Sequence, residues 1–389
     1  VAGHPFHDVA IVGVHNTVQG RVLEGHDSRS ITFEAALGAV ADAGLRPIDI
    51  DGVVGPNGSD FIYQSRIGPV WRSMSQLGIP CVLEAAAAIS TGMANVVLIA
   101  AGSAGIYTER ASTAPWTRPT HEFVVSYGMF TAAEFALIAR RHMHEYGTKP
   151  EALATIAATI RNNGHVNPDA VYYGRGPFTP QDILDSRMIA DPFHLLDCSM
   201  TAEGGCGLVL ARADIAKDLA KKPVYILGGN TDHFGPSYQH PPSWELGGRR
   251  DPDWVNGKAG RRAAQMAFAA AQCGPEDVDT LELYDPFSFE IIRQLEAFGF
   301  CGEGEGGDFV MNGRIRIDGE LPVATNGGTM SFSHAGVAQL LQKPLNAVLQ
   351  LRGELPPQLT VPDAKVALAT NGGSGALFCD VMALGKEPV

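Results

Sequence analysis

No run of about 18 apolar residues occurs, so a membrane-spanning helix is not expected. A basic excess is also missing. The formal charge is −13, which argues against general affinity for nucleic acid or anionic membrane surfaces, because a phosphate backbone requires clustered Lys and Arg. The six cysteines, Cys81, Cys198, Cys206, Cys273, Cys301 and Cys379, are scattered. They form no Cys-x-x-Cys pair and have no histidines at zinc spacing, so no metal site is expected and they read as reduced thiols in a cytoplasmic protein. Residues 1–11 lack the basic start and long apolar core of a signal peptide. What is abundant is core-forming material: 45% of the 389 residues are hydrophobic and 18% charged, the balance of a globule too long for one ordinary core.

The apolar pattern alternates between strand and helix. Val9–Val14 reads as a buried strand and Ile31–Gly44 as a helix stopped by Ala43-Gly44. Ile50–Val54 reads as a second strand and Val82–Thr91 as an alanine-rich helix ending at Gly92. Ala94–Gly102 is then apolar throughout, as a strand buried on both faces requires. Residues 103–190 break this rhythm with Trp116, several prolines and helices expected over Thr131–Tyr146, Glu151–Asn163 and Pro180–Met188, so they read as an inserted layer. Arg140, Arg141, His142, His144, Arg161, Arg175 and Arg187 fall here and are candidates to meet an anionic ligand such as the phosphates of coenzyme A. Asp197–Ala211 is a small-residue turn followed by a strand.

The pattern then starts again. Val224–Gly228 repeats Val9–Gly13, Pro275–Asp279 repeats Pro47–Asp51 after an alanine-rich helix, and Ala364–Leu368 mirrors Ala94–Leu98 before a glycine-rich turn. The chain is therefore expected to hold two α/β halves, residues 1–222 with the insertion at about 103–190 and residues 223–389, with ligands near strand and helix ends at their junction.

Val323–Gly336, V-A-T-N-G-G-T-M-S-F-S-H-A-G, combines an apolar entry, the adjacent Gly327 and Gly328, small residues and one histidine. Such backbone folds tightly and presents His334 at an element end. A histidine placed there can hold a thioester carbonyl oxygen, and its ordinary pKa near neutrality suits proton transfer.

Together with Leu195–Leu210, Leu281–Phe287 (L-E-L-Y-D-P-F), Thr325–Gly336 and Ala369–Gly375, this order resembles the thiolase superfamily over nearly the whole chain, and most of all its lipid-transfer-protein type. The resemblance implies duplicated βαβαβαββ halves in a layered α-β-α-β-α arrangement. Thiolases have a glycine-histidine-proline triplet where this chain has Ser333-His334-Ala335, a second catalytic cysteine where it has Asn371-Gly372-Gly373, and a nucleophilic cysteine after a glycine-rich loop where it has a short approach to Cys81. Keeping the histidine without the cysteine pair is similar to the thiolase-like retro-aldolases that shorten steroid side chains. Those enzymes cleave a β-hydroxyacyl-CoA into a ketone and a shorter acyl-CoA such as propionyl-CoA, and the tyrosine of a Tyr-Asp pair takes part in proton transfer. Here that pair is Tyr284-Asp285.

Retro-aldol cleavage needs a base for the β-hydroxyl proton, donors for the enolate oxygen and an acid for the α-carbon, and no covalent nucleophile. On this reading Tyr284 takes the hydroxyl proton. His334 and the turns at Gly327, Gly328, Asn371, Gly372 and Gly373 hold the oxyanion, and Asp285 orients one of these groups or is itself the base. Phe332, Tyr238 and His233 are candidate pocket residues. Two alternatives stay open: a thiolase or acyltransferase using Cys81 as nucleophile, and a non-catalytic acyl-CoA or lipid carrier. The resemblance further implies that coenzyme A enters as part of the substrate and that no cofactor is resident. It also implies a homodimer and a small partner with an OB-fold and zinc ribbon, sometimes hydratase-fused, to which any zinc would belong.

Overall fold

A computed structural model of the chain describes residues 4–74, 78–105, 131–234, 255–373 and 376–389. Its strands are β1 (Val9–Asn16), β2 (Gly52–Val54), β3 (Trp71–Ser73), β4 (Val96–Ser103), the hairpin β5 (Met188–Ala190) and β6 (Phe193–His194), β7 (Gly204–Arg212), β8 (Val224–His233), β9 (Thr280–Glu282), β10 (Val366–Gly372) and β11 (Phe378–Gly385). All but the hairpin join in the order β3-β2-β4-β7-β1-β8-β11-β10-β9. Outward from the centre, β1-β7-β4-β2 on one side is matched by β8-β11-β10-β9 on the other. In both, the inner pairs are antiparallel and the outer pair is parallel. The two meet through a short antiparallel seam, Ala10 with Tyr225 and Ile11 with Val224.

The repeated Pro-x-Asp-x-Asp segments explain part of this equivalence. Each opens with a short 3-10 turn, Pro47–Asp49 and Pro275–Asp277. The second aspartate then caps the neighbouring strand of its own half, β4 in the first and β10 in the second. Asp51 accepts the N–H groups of Asn95 and Val96, each at 2.8 Å, and Asp279 accepts those of Lys365 at 2.6 Å and Val366 at 2.9 Å. Strand β2 begins at Gly52 rather than at Ile50, because Ile50 still closes the 3-10 turn, its N–H donating to the Pro47 carbonyl.

The principal helices are α1 (Ser28–Asp42), α2 (Gly58–Ser65), α3 (Gly78–Ser90), α4 (Thr131–Tyr146), α5 (Pro150–Val166), α6 (Pro180–Asp185), α7 (Arg261–Ala271), α8 (Ser288–Phe298) and α9 (Gln339–Arg352). Successive strand residues face opposite cores. Val97 and Ile99 join a central cluster with Val82 and Ile89 of α3, Leu341 and Val348 of α9, and Ala367 and Met382 of the other half. Leu98 and Ala100 instead pack outward with Ala36 and Val40 of α1. On the far side, Ala263 and Ala267 of α7 and Ile291 and Leu295 of α8 pack with Val381 and Ala383. The layers therefore run α-β-α-β-α, with α3 and α9 between the two sheet faces.

Helix α3 starts at Gly78, earlier than the expected Val82, and so takes Pro80 and Cys81 into its first turn. A proline fits there because a first-turn N–H has no intrahelical acceptor to lose. Among the described residues, no helix is long and apolar enough to cross a membrane.

Two basic residues of the insertion that were candidates for an anionic ligand are structural instead. Arg161 of α5 is 1% exposed, and its guanidinium donates to the backbone carbonyls of Leu196 (2.8 Å), Cys198 (2.8 Å) and Met330 (2.9 Å). His142 is buried between Glu296 and Thr148, 3.0 Å from each. Arg161→Leu strands buried carbonyls that each cost about 1–3 kcal/mol when unpaired. A loss of about 3 kcal/mol or more is expected in urea unfolding, together with loosening of the turn that carries Met330.

Candidate active site

The site forms where the chain leaves β9. A closed ring of hydrogen bonds fixes the backbone of Tyr284: its N–H donates to Thr370 Oγ1 (2.8 Å), that hydroxyl donates to Gln294 Oε1 (2.6 Å), and Gln294 Nε2 donates back to the Tyr284 carbonyl (2.7 Å). The phenol ring lies against Gly372 at the end of β10, where an added Cβ would stand 3.5 Å from Tyr284 Cδ1. A Cβ there would be in ordinary van der Waals contact with the ring, and its tighter approach would be 3.1 Å to the Phe378 carbonyl oxygen.

Asp285 makes a different set of contacts. It is fully buried and accepts the N–H groups of Thr329 (2.9 Å) and Met330 (3.1 Å). The same carboxylate pairs with Lys343 of α9, which is 3% exposed. Glu282, also buried, accepts from Thr325 Oγ1 at 2.6 Å. Burial pushes its carboxyl up, while the Lys343 charge and the hydrogen bonds of Thr325 and Asn346 pull it down. Asp285 is thus held entirely by protein donors. Of its two expected roles, orienting group and base, this geometry supports the first.

The histidine-bearing turn is shaped by Gly327 (φ 107°) and Gly328 (φ 56°), both left-handed. Gly327 lies against α5, where a Cβ would meet Gly164 Cα at 2.6 Å. Residues Gly328–Phe332 then form one wide π-type turn, a geometry found often at functional sites. The Gly327 N–H donates to Ala324 O (3.0 Å) and the Gly328 N–H to Asn326 Oδ1 (2.9 Å). The expectation that these N–H groups serve an oxyanion is therefore corrected: both are engaged inside the turn, and the glycines act through backbone conformation.

His334 leaves this turn toward the other half. Its carbonyl accepts from the Ala202 N–H (3.3 Å), and the preceding Ser333 donates to Gln19 Oε1 (2.7 Å) beyond β1. The ring is half-buried. Loss of water pushes its pKa down to about 4, against the Asp285 charge and a hydrogen bond to the Met200 backbone, with Lys343 adding to the fall. A neutral imidazole results, and its single ring N–H is the one shared with the Met200 backbone. The influence of Asp285 on His334 also puts the Tyr284-Asp285 pair and His334 in one electrostatic neighbourhood.

The remaining candidates are divided. Asn371 accepts the Ile79 N–H at the start of α3 (2.8 Å) and donates to Asp380 on the neighbouring strand, so its side chain is engaged within the protein. Gly373 accepts the Ala376 N–H at 3.1 Å. Cys81 is 3% exposed within the central apolar cluster. Phe332 is 3% exposed, with its carbonyl accepting from Val171 N–H at 3.0 Å. His233, at the end of β8, has 45% of its side chain exposed. Tyr238 lies outside the described residues. The reading of the sequence missed Lys343 and Asp380. A lysine amid the α9 residues Leu340, Leu341 and Leu345, and an aspartate inside the apolar run Leu377–Leu384, were the available signals. Among the described residues, no group of three or more His, Cys, Asp or Glu could hold a metal ion.

The His334 shift has a consequence for stability. Its folded pKa of about 4 lies below the ordinary histidine value of 6.5, so its contribution is full above pH 6.5 and is lost as pH falls toward 4. Thermal unfolding followed from pH 7 to pH 4 should show a smaller acid-induced fall in Tm for His334→Gln than for the parent chain.

Comparison with known proteins agrees with this architecture. Residues 243–386 match the family described as thiolase C-terminal domain-like. The chain is 33% identical over 385 residues to an acetyl-CoA acetyltransferase of Methanothermobacter thermautotrophicus, covering 95% of this chain and 97% of that one. It is also 33% identical over 354 residues to the steroid side-chain-cleaving aldolase of Thermomonospora curvata, covering 84% and 86%. The solved Ltp2-ChsH2(DUF35) aldolase superposes with a TM-score of 0.83 at 29% identity, over 97% of this chain and 98% of that chain. Mirrored halves around two central helices, matched from end to end by such relatives, make this chain a member of the thiolase superfamily, of the sterol-carrier-protein type near the side-chain-cleaving retro-aldolases and with a thiolase-like acyl-CoA function.

Proposed function

We propose that the protein is a retro-aldolase that cleaves a β-hydroxyacyl-CoA, with a steroid side chain as the acyl class, into a ketone and a shorter acyl-CoA such as propionyl-CoA. The observation that carries this reading is the pairing of a proton-transfer candidate, Tyr284, with a neutral donor, His334, through the Asp285 anchor, while Cys81 packs into the core. The two aldolase likenesses support the same class.

In the proposed reaction, Tyr284 in its ionised form takes the β-hydroxyl proton and the bond between the α- and β-carbons breaks. Its electron pair enters the thioester as an enolate, and the His334 N–H, turned from the Met200 backbone to the substrate, stabilises the developing charge on oxygen. This stabilisation depends on a donor fixed in advance, and the Asp285 contacts keep the turn before His334 in place. A tyrosine ionises ordinarily near 10, so Tyr284 acting as a base requires a donor or positive charge at its hydroxyl in the substrate complex.

Acyl transfer through Cys81 is a second reading, supported by the acetyl-CoA acetyltransferase likeness. A small OB-fold and zinc-ribbon partner is also proposed, because the matching aldolase structure pairs Ltp2 with ChsH2(DUF35). A homodimer of the chain forms the core of that assembly in this proposal.

Steady-state assays of three variants test the reaction class. Tyr284→Phe and His334→Ala should each lower kcat by about 100-fold or more with acyl-CoA binding retained, whereas Cys81→Ser should stay near the parent rate. Loss of turnover in Cys81→Ser together with parent-like rates in the other two would instead establish the acyltransferase.

A further inference from the structure

Retro-aldol cleavage leaves one proton unassigned. Tyr284 takes the hydroxyl proton and the neutral His334 holds the oxygen, so the α-carbon of the enolate still needs an acid. We propose that His233, with Asp380 behind it, is that acid. The inference rests on the retro-aldol reading and deepens it.

Strand register brings the groups together. His233 is the last residue of β8 and pairs with Phe378, the first residue of β11. Their rings stack at 5.0 Å with an interplanar angle of 3°. The next strand, β10, ends at Gly372, whose missing Cβ would stand 3.1 Å from the Phe378 carbonyl oxygen and 3.5 Å from the Tyr284 ring. In register Gly372 pairs with Cys379 and Asn371 with Asp380, so His233, Phe378, Asp380 and Asn371 lie on one face of the sheet. That face leads to the start of α3, where Asn371 accepts the Ile79 N–H, and Tyr284 lies beside the next residue, Gly372.

Asp380 supplies a second, independent observation. It stands two residues beyond Phe378 and so faces the same side of β11. The residue is fully buried, and one carboxyl oxygen takes the Asn371 amide. The other, Oδ1, has no hydrogen-bond partner and lies 3.6 Å from His233 Nε2. A buried polar atom without a partner is costly, and here it is aimed at a histidine that reaches solvent. A modest closing movement of the imidazole would complete the bond. Burial, reinforced by the charge of Asp232 and opposed by Asn371, pushes the Asp380 carboxyl up to about 7. Asp380 can then hold or release a proton near neutral pH. The other charged groups nearby are Asp232 of β8, which accepts the Ala263 N–H (3.1 Å), and Arg262 of α7, 3.6 Å from Asp232.

The proton balance closes without an oxidant or reductant. The hydroxyl proton goes to Tyr284, the pair from the broken carbon–carbon bond goes to the enolate, and the His233 imidazolium gives its proton to the α-carbon. Tyr284 then releases a proton to water as His233 regains one. His233 touches substrate in this scheme, whereas Asp380 is a positioning residue that acts through it.

The test is exchange of the α-hydrogens of propionyl-CoA with deuterium oxide, read by mass spectrometry on the intact protein together with any partner subunit. Exchange needs α-proton removal and return, but no β-hydroxyl. The parent chain should exchange; Tyr284→Phe should lose cleavage and keep exchange; His233→Gln and His233→Asn should both lose exchange by about 100-fold or more. Asp380→Asn should move the pH profile of exchange, which a merely structural defect, lowering the rate equally at every pH, would not do. Parent-like exchange in both His233 variants overturns the pair and leaves the retro-aldolase standing, as does a parent enzyme that cleaves but never exchanges. Absence of both exchange and ketone release in the parent overturns the underlying reading as well.

Discussion

The carboxylate of Asp285 and the ammonium of Lys343 meet in the interior, and the site is arranged around that contact. Removing two charges from water costs several kcal/mol per ion unless geometry and further hydrogen bonds offset it. Here the Thr329 and Met330 N–H groups provide that compensation. One ion pair thereby joins the continuation of β9, the turn that leads to His334 and the central helix α9. Tyr284 and His334 come from stretches about fifty residues apart in sequence, and this junction makes them parts of one structure.

The same scaffold bears on the proposed change of chemistry. In the thiolase pattern, sulfur stands at the start of the first central helix and again in the last glycine-rich turn. In this chain Asn371 occupies the second place and accepts the Ile79 N–H at the start of α3. That N–H belongs to the positive end of the helix dipole, which would otherwise favour a thiolate. An amide now occupies it, and Cys81 of the same turn belongs to the apolar cluster. The residues that remain are of types suited to protons and oxygen charge, as the proposed enolate chemistry without a covalent intermediate demands.

Much of this architecture could be read from the sequence because it is local. The apolar run at residues 94–102 could only be a central strand, and the repeated Pro-x-Asp-x-Asp segments proved to be equivalent strand caps. The L-E-L-Y-D-P-F and T-N-G-G-T-M-S-F-S-H stretches were recognisable through their family likeness and their turn residues. Contacts across long sequence separations were not readable. Lys343 looks like an ordinary helix lysine until its partner, 58 positions earlier, is known. Arg161 looked like an anion-binding candidate because no pattern indicates that three backbone carbonyls will converge on it. The N–H groups of Gly327 and Gly328 looked available because a glycine pair predicts a turn without revealing where its hydrogen bonds go.

The central claim is that an acyl-thioester scaffold here breaks a carbon–carbon bond without a covalent sulfur intermediate. The most direct measurement is product analysis with a β-hydroxyacyl-CoA bearing a bulky ring system, in the absence of free coenzyme A. The account predicts a ketone and a shorter acyl-CoA in equal amounts, with Cys81 unmodified throughout. Turnover only after free coenzyme A is added, accompanied by an acyl adduct on Cys81, would contradict it.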